Sequence, residues 1–164
     1  MGQAREQMDR KLRERGVCFT AIEHAPVHTI EDMAQAGVLD RVTVPKNVFV
    51  RDARGRRHIL ILLRCDKTLD MQAVREALGT TRLSFASDER LMKYLGTTPG
   101  AVSPLGILND AEADVEVAVD RDLMREEWLG VHPCENTATY IIRREDLLRI
   151  IRENGNAITE IAIA

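Results

Sequence analysis

Aromatic residues are scarce in this 164-residue chain: three Phe, two Tyr and one Trp make up 4% of it. Stacking platforms for unpaired bases are therefore few, and the core has to be built from aliphatic side chains. Cysteine is sparser still. Cys18, Cys65 and Cys134 are odd in number, widely spaced and without a CxxC pair, which argues against a disulfide framework and fits a reducing, cytoplasmic setting. No uninterrupted apolar run approaches the roughly 18 residues of a membrane span. The opening "MGQAREQMDRKLRERG" is charged and has no apolar stretch, so no signal peptide is expected. An excess of positive charge is also missing. With a formal net charge of -3, any nucleic acid has to be held by a local basic patch, and that binding will be salt-sensitive.

What is present is ordinary for a globular protein, 45% hydrophobic and 30% charged, and the length fits one domain over residues 1–164. Residues 3–15 are polar and helix-favouring and are followed by Gly16, a C-cap. "VCFTAIEH" alternates at period two, which predicts a half-buried strand with Val17, Phe19 and Ala21 inward. Thr29 three residues before Asp32 predicts a capped helix ending at Gly37. "KNVFVRD", "ARGRR" and "HILILLR" read as strand, turn and strand, the second strand apolar on both faces and therefore central. Helices follow at "LDMQAVREALG", with a stripe of Leu69, Ala73 and Ala77, and at "SDERLMKYLG", with Ser87 as N-cap. "TTPGAVSPLG" is a shaped loop, "VEVAVD" and "NTATYIIR" are strands, and "REDLLRIIRENG" is an amphipathic helix. Helices and strands are interspersed around an antiparallel hairpin, which predicts an α+β (mixed α/β) fold.

Several constellations bear on chemistry. Cys18, His24 and His28 are of ligand type, but their spacing lacks a paired motif and a fourth ligand, so no metal and no cofactor is expected. Cys134 lies two residues from His132, yet this "HPCEN" turn does not promise the helix N-terminus that usually activates a thiolate. Arg51, Arg54, Arg56 and Arg57 crowd a hairpin tip, where they either face solvent or meet phosphates. Lys46, right after Pro45, begins an apolar strand with no packing reason for a lysine. In "GAVSP", Gly100 to Pro104, glycine permits close backbone approach and proline stiffens the return. Such a loop is either an ordinary turn or one that aims amides at an oxyanion.

Lys46-Asn47, "LSFAS", "LMKYLG", "PGAVSP" and "HPCENTAT" occur in an order that resembles the YbaK/ProRS-associated-domain family, in its free-standing prolyl-tRNA editing branch. The resemblance runs from about Val17 to Asn154. It implies a mostly antiparallel, barrel-like sheet flanked by helices. It also implies a deacylase that removes a wrong amino acid, alanine in this branch and cysteine in a closely related one, from proline tRNA. By position Lys46, Gly100 and Pro104 match the family's catalytic lysine and Gly-x-x-x-Pro loop, and Asn47, Ser103, His132 and Asn136 match its substrate-binding residues. Arg54, Arg56 and Arg57 are the candidate tRNA contacts. The implied partners are the acceptor end of proline tRNA and prolyl-tRNA synthetase, with no membrane. A binding module that senses aminoacyl-tRNA without turnover is the alternative from another class. One departure stands out: "RVTVPK" precedes the lysine where family members often carry a glycine-containing segment and Thr.

Overall fold

In the computed structural model, which describes residues 2–164, helix α1 (Gln3–Glu14) ends where Gly16 takes the left-handed φ of 68°. Strand β1 (Phe19–Glu23) follows. Thr29 and Asp32 form the expected reciprocal capping box and open the short helix α2 (Ile30–Gln35). The hairpin is β2 (Lys46–Arg51) and β3 (His58–Leu63), paired antiparallel with Lys46 opposite Leu63. Its turn is held by the buried Asp52 carboxylate, which accepts the Arg56 and Arg57 N–H groups at 2.8 and 3.2 Å. The chain continues through α3 (Met71–Leu78), β4 (Ser84–Phe85), α4 (Asp88–Leu95), β5 (Val115–Asp120), β6 (Trp128–Val131), β7 (Ala138–Arg143), α5 (Arg144–Glu153) and β8 (Ile158–Ile161). Ser87 caps α4 as expected, accepting the Arg90 N–H at 3.2 Å.

The fold is α+β, built on two sheets. One runs β4-β2-β3-β5-β8 and the other β1-β7-β6. Pairings β4–β2, β2–β3, β1–β7 and β6–β7 are antiparallel, whereas β3–β5 and β5–β8 are parallel, so the antiparallel majority holds. The barrel-like closure does not. A two-residue β4 and a four-residue β8 form the edges of the larger sheet, and the sheets touch through the isolated parallel bridge Thr43↔Leu129.

Strand β3 explains the packing. Leu60 and Leu62 enter the main core with residues of α1, α4 and α5, while Ile59, Ile61 and Leu63 enter a second cluster with Val74 of α3. Both faces are dry, as the unbroken apolar run predicts. A third cluster, Ile22, Val27, Met33, Val38, Val42 and Val44, gathers between α2 and the seam of the sheets.

Two facing assignments differ from the expectation. Val17 and Phe19 do reach the main core, but Ala21 is exposed and Ile22 is the buried residue of β1, because the opposite face of its sheet is covered by the third cluster. In α3 the buried residue is Val74, with Leu69, Met71 and Leu78 packed around it, so the stripe is set by the larger side chains and not by Ala73 and Ala77. The 97–106 loop also contains local order, with 3₁₀ turns at Pro99–Ala101 and Pro104–Asn109.

Candidate active site

The seam between the sheets creates the site. Gly130 donates its N–H to the Thr43 carbonyl at 2.8 Å, and a Cβ on Gly130 would lie 2.8 Å from Val42 Cγ1 and 2.9 Å from Val44 Cγ2. Only glycine lets these segments meet. Three residues beyond the bridge on one segment stands Lys46, and three beyond it on the other stands His132. Parallel pairing therefore carries the two side chains to the same level, where β2 and β6 diverge. Between them opens a cleft of about 470 Å³ whose wall includes Lys46, Asn47, Gly100, His132, His28 and Met33. A second hollow of about 360 Å³ shares His28, Pro99 and Gly100 with it and adds Asn136.

Lys46 is half-buried, and its ammonium donates to the Lys67 carbonyl at 2.8 Å. An ammonium has three N–H donors, so this bond fixes the head group without exhausting it. Asn47 donates from Nδ2 to the Pro45 carbonyl at 3.3 Å, while its Oδ1 is buried with no hydrogen-bond partner among the described residues. Such an unsatisfied acceptor costs about 1–3 kcal/mol.

His132 Nδ1 lies 3.0 Å from the Ala138 carbonyl. A carbonyl only accepts, so Nδ1 carries the proton and Nε2 keeps its lone pair. Burial holds this imidazole below its usual 6.5; the Ala138 hydrogen bond opposes that shift and nearby His24 reinforces it. Asn136 donates to the Val27 carbonyl at 2.9 Å and so ties the 132–137 turn to the segment leading into α2.

The loop is only partly as expected. Gly100 lines the cleft, and a Cβ there would stand 3.2 Å from His28 Nδ1 and 3.6 Å from Asn136 Nδ2, so glycine serves close packing against the opposite wall. Ser103 and Pro104 are buried behind it. Ser103 Oγ caps the second 3₁₀ turn by accepting the Leu105 N–H at 3.1 Å, with Pro104 at its first position. The Ala101 N–H is spent on the Thr98 carbonyl at 3.0 Å. Cys134 is buried, and burial pushes its thiol up to about 12, far from a thiolate nucleophile.

The arginines lie elsewhere. Lys46 and Arg51 stand at opposite ends of β2, about 17 Å apart at strand rise, and the hairpin tip lies beyond Arg51. Arg54 and Arg56 are exposed there, whereas Arg57 is bound through Nε and Nη2 to Glu116 at 2.8 and 2.7 Å. The sequence presents His28 only as a metal-ligand type and gives no signal for Met33 or Lys67. The signal for His28 was its place in "APVHT", the turn leading into the capped helix.

An α+β frame that gathers an ammonium, an imidazole with an open lone pair, an unpartnered amide oxygen and a glycine wall around one cleft defines a class. These groups offer donors and acceptors to a polar ligand. The family model of the aminoacyl-tRNA editing domain matches residues 24–150, and the chain belongs to that family. The prolyl-tRNA editing protein ProX of Acetoanaerobium sticklandii is 42% identical over 160 residues, covering 98% of each chain. The prolyl-tRNA synthetase associated domain-containing protein 1 of Danio rerio is 32% identical, covering 91% of this chain and 82% of that one. Among solved structures, a protein proposed to be a trans-editing enzyme for prolyl-tRNA synthetase superposes with a TM-score of 0.77 at 18% identity, over 100% and 99% of the two chains. The last likeness shows the fold.

Proposed function

We propose that this protein is a trans-editing deacylase that hydrolyses the ester joining a wrong amino acid, alanine first, to the 3′ end of proline tRNA. The observation that carries the reading is the meeting of Lys46, Asn47, Gly100 and His132 in one cleft, in a chain that matches an editing protein along almost its whole length. The Lys46 ammonium neutralises the terminal phosphate or the carbonyl oxygen as charge develops on it. Asn47 lines the cleft beside the ammonium, and His132 Nε2 accepts from the ribose hydroxyl beside the ester. An aminoacyl ester is already activated, and that hydroxyl can assist attack by water, so positioning and charge stabilisation supply the rate without a protein nucleophile.

Gly100 brings the loop close enough to close the cleft, and Pro104 and Ser103 act behind it by fixing the loop's shape. Asn136 holds the opposite wall. Arg54 and Arg56 extend the electrostatic contact towards the acceptor stem, and prolyl-tRNA synthetase is the partner that presents the substrate. Selection is steric. Val44, Val131 and Met33 line the cleft with apolar walls, and alanine is favoured over proline where those walls meet the bulkier ring.

The test is release of alanine, cysteine and proline from proline tRNA by the purified protein. Faster release of alanine with proline retained is expected. Preferential release of cysteine would reassign the substrate, and binding without release of any of the three would make the protein a sensor.

A further inference from the structure

The turn that follows β3 carries a buried ion pair that no step of the proposed reaction uses. Asp120, at the end of β5, is fully buried, and the Lys67 side chain is 12% exposed. The Lys67 ammonium meets Asp120 Oδ1 at 2.9 Å, Asp122 Oδ2 at 2.6 Å and the Ile163 carbonyl at 2.6 Å, which accounts for all three of its donors. Asp120 also accepts the Arg64 N–H through Oδ2 at 3.1 Å and the Asp122 N–H through Oδ1 at 3.1 Å. Within the turn, the Lys67 N–H returns to the Arg64 carbonyl at 3.0 Å. One carboxylate thus grips the Arg64–Lys67 turn at its first amide and at its last side chain.

Burying two charges is costly, and apolar residues of similar volume would hold two strands together at least as well. Apolar residues could not fix the direction of a carbonyl. The Lys67 carbonyl is the one that accepts the Lys46 ammonium at 2.8 Å, and Lys46 pairs with Leu63, the residue just before the turn. The path from Asp120 through Lys67 to Lys46 is therefore continuous and short. Burial works against the charge on Lys67, but the Asp122 and Asp120 carboxylates outweigh it and hold the ammonium above its usual range.

We infer that Lys67, anchored by Asp120 and Asp122, is a positioning residue that sets where the Lys46 ammonium stands in the cleft, so that the 64–67 turn and the end of β5 belong to the catalytic apparatus. The kinetic consequence rests on the deacylase reading, whereas the geometric one does not. A displacement of about 1 Å of a positioned group costs on the order of 100-fold in rate.

The experiment uses the full chain with Lys67→Met, Asp122→Asn, Lys46→Ala and the Lys46→Ala/Lys67→Met double variant. Thermal unfolding identifies the variants that fold. Steady-state release from alanyl proline tRNA measures kcat and KM, and NMR of the lysine ε-methylene protons reports whether the Lys46 side chain is held. The expected result is a fall in kcat of roughly 100-fold for Lys67→Met with KM little changed. In the Lys46→Ala background, read on the slow residual release at high enzyme concentration, the same substitution should have no further effect, since residues that act through one group are not additive. The two ε-protons of Lys46 should be inequivalent in the wild type and collapse together in Lys67→Met.

If Lys67→Met does not fold, Asp122→Asn removes one anchor from the more exposed side and should lower kcat in the same direction by less. Unchanged kcat in the folded variants, or an equal loss in the presence and absence of Lys46, would overturn the inference. If the wild type releases no amino acid, the proposed function fails, and the NMR comparison alone decides the inference: collapse supports it and an unchanged pair rejects it.

Discussion

Replacing Gly130 by alanine probes the seam on which the cleft depends. The added methyl would lie 2.8 Å from Val42 Cγ1, 2.9 Å from Val44 Cγ2 and 3.0 Å from Thr139 Cγ2. Val42 and Val44 are buried, and Thr139 is fully so. All three are β-branched and stiff at χ1, so none can swing aside. Overpacking of this kind costs about 1–3 kcal/mol, which for a chain of this size lowers Tm by roughly 2–12 °C. Relief has to come from widening the seam, which would break the 2.8 Å bond from Gly130 to Thr43 and carry Val44 and Lys46 away from His132. The Gly130→Ala variant should therefore lose both stability and deacylation rate. Gly79→Ala is the control. Gly79 has a positive φ and nothing within 4 Å, so its substitution costs about 1–2 kcal/mol of backbone strain and leaves the rate unchanged. Circular dichroism melting and alanyl-tRNA deacylation measure the two quantities. A Gly130→Ala protein with wild-type Tm and rate would refute the argument that close approach at the seam builds the site.

His132 gives a pH signature. Burial lowers its imidazole pKa from the usual 6.5, so its contribution to stability is complete above the unfolded value of about 6.5 and is lost as pH falls through the lower folded value. The rate should decline in the same acid limb as Nε2 is protonated, and a His132 midpoint above 6.5 by proton NMR would contradict this. At the hairpin tip, Arg54→Gln and Arg56→Gln should each reduce the slope of log affinity for tRNA against log salt by about 1. Arg57→Gln should leave that slope unchanged, because Glu116 already holds the guanidinium at two nitrogens. Equal slopes in all four proteins would place the tip in solvent.

Local chemistry was legible wherever one segment carried its own signal. The Thr29–Asp32 box, the Ser87 cap and the β2–β3 hairpin each rest on residues within a few positions of one another, and each forms as the sequence predicts. What depends on distant packing was not legible. β6 is four residues with a glycine inside, too short to carry a strand signal of its own; it becomes a strand because β7 pairs along it. β8 is equally short and is drawn into line by β5. Ile22 faces inward because α2 and the seam supply a cluster on that side of β1, which the alternation of β1 alone does not reveal.

The site shows the same division. Lys46, Gly100 and His132 stand out by residue type and place in the sequence, Asn47 comes in through the family resemblance, and all four meet in the cleft. Ser103 and Pro104 match the same motif but lie behind the wall, because a motif records which residues recur and not which of them face a ligand. Lys67 went unnoticed because "RCDKTLD" reads as an ordinary polar turn. Its partners Asp120, Asp122 and Ile163 lie at least 53 residues away, the nearest separation.

The central claim is that a lysine-centred cleft removes a small wrong amino acid from proline tRNA. It is tested most directly by single-turnover release of alanine and proline from that tRNA by the wild type and Lys46→Ala side by side, with thermal unfolding confirming that both are folded. The account predicts rapid release of alanine but not proline by the wild type, and loss of alanine release in the folded variant. Equal alanine release by both proteins would contradict it.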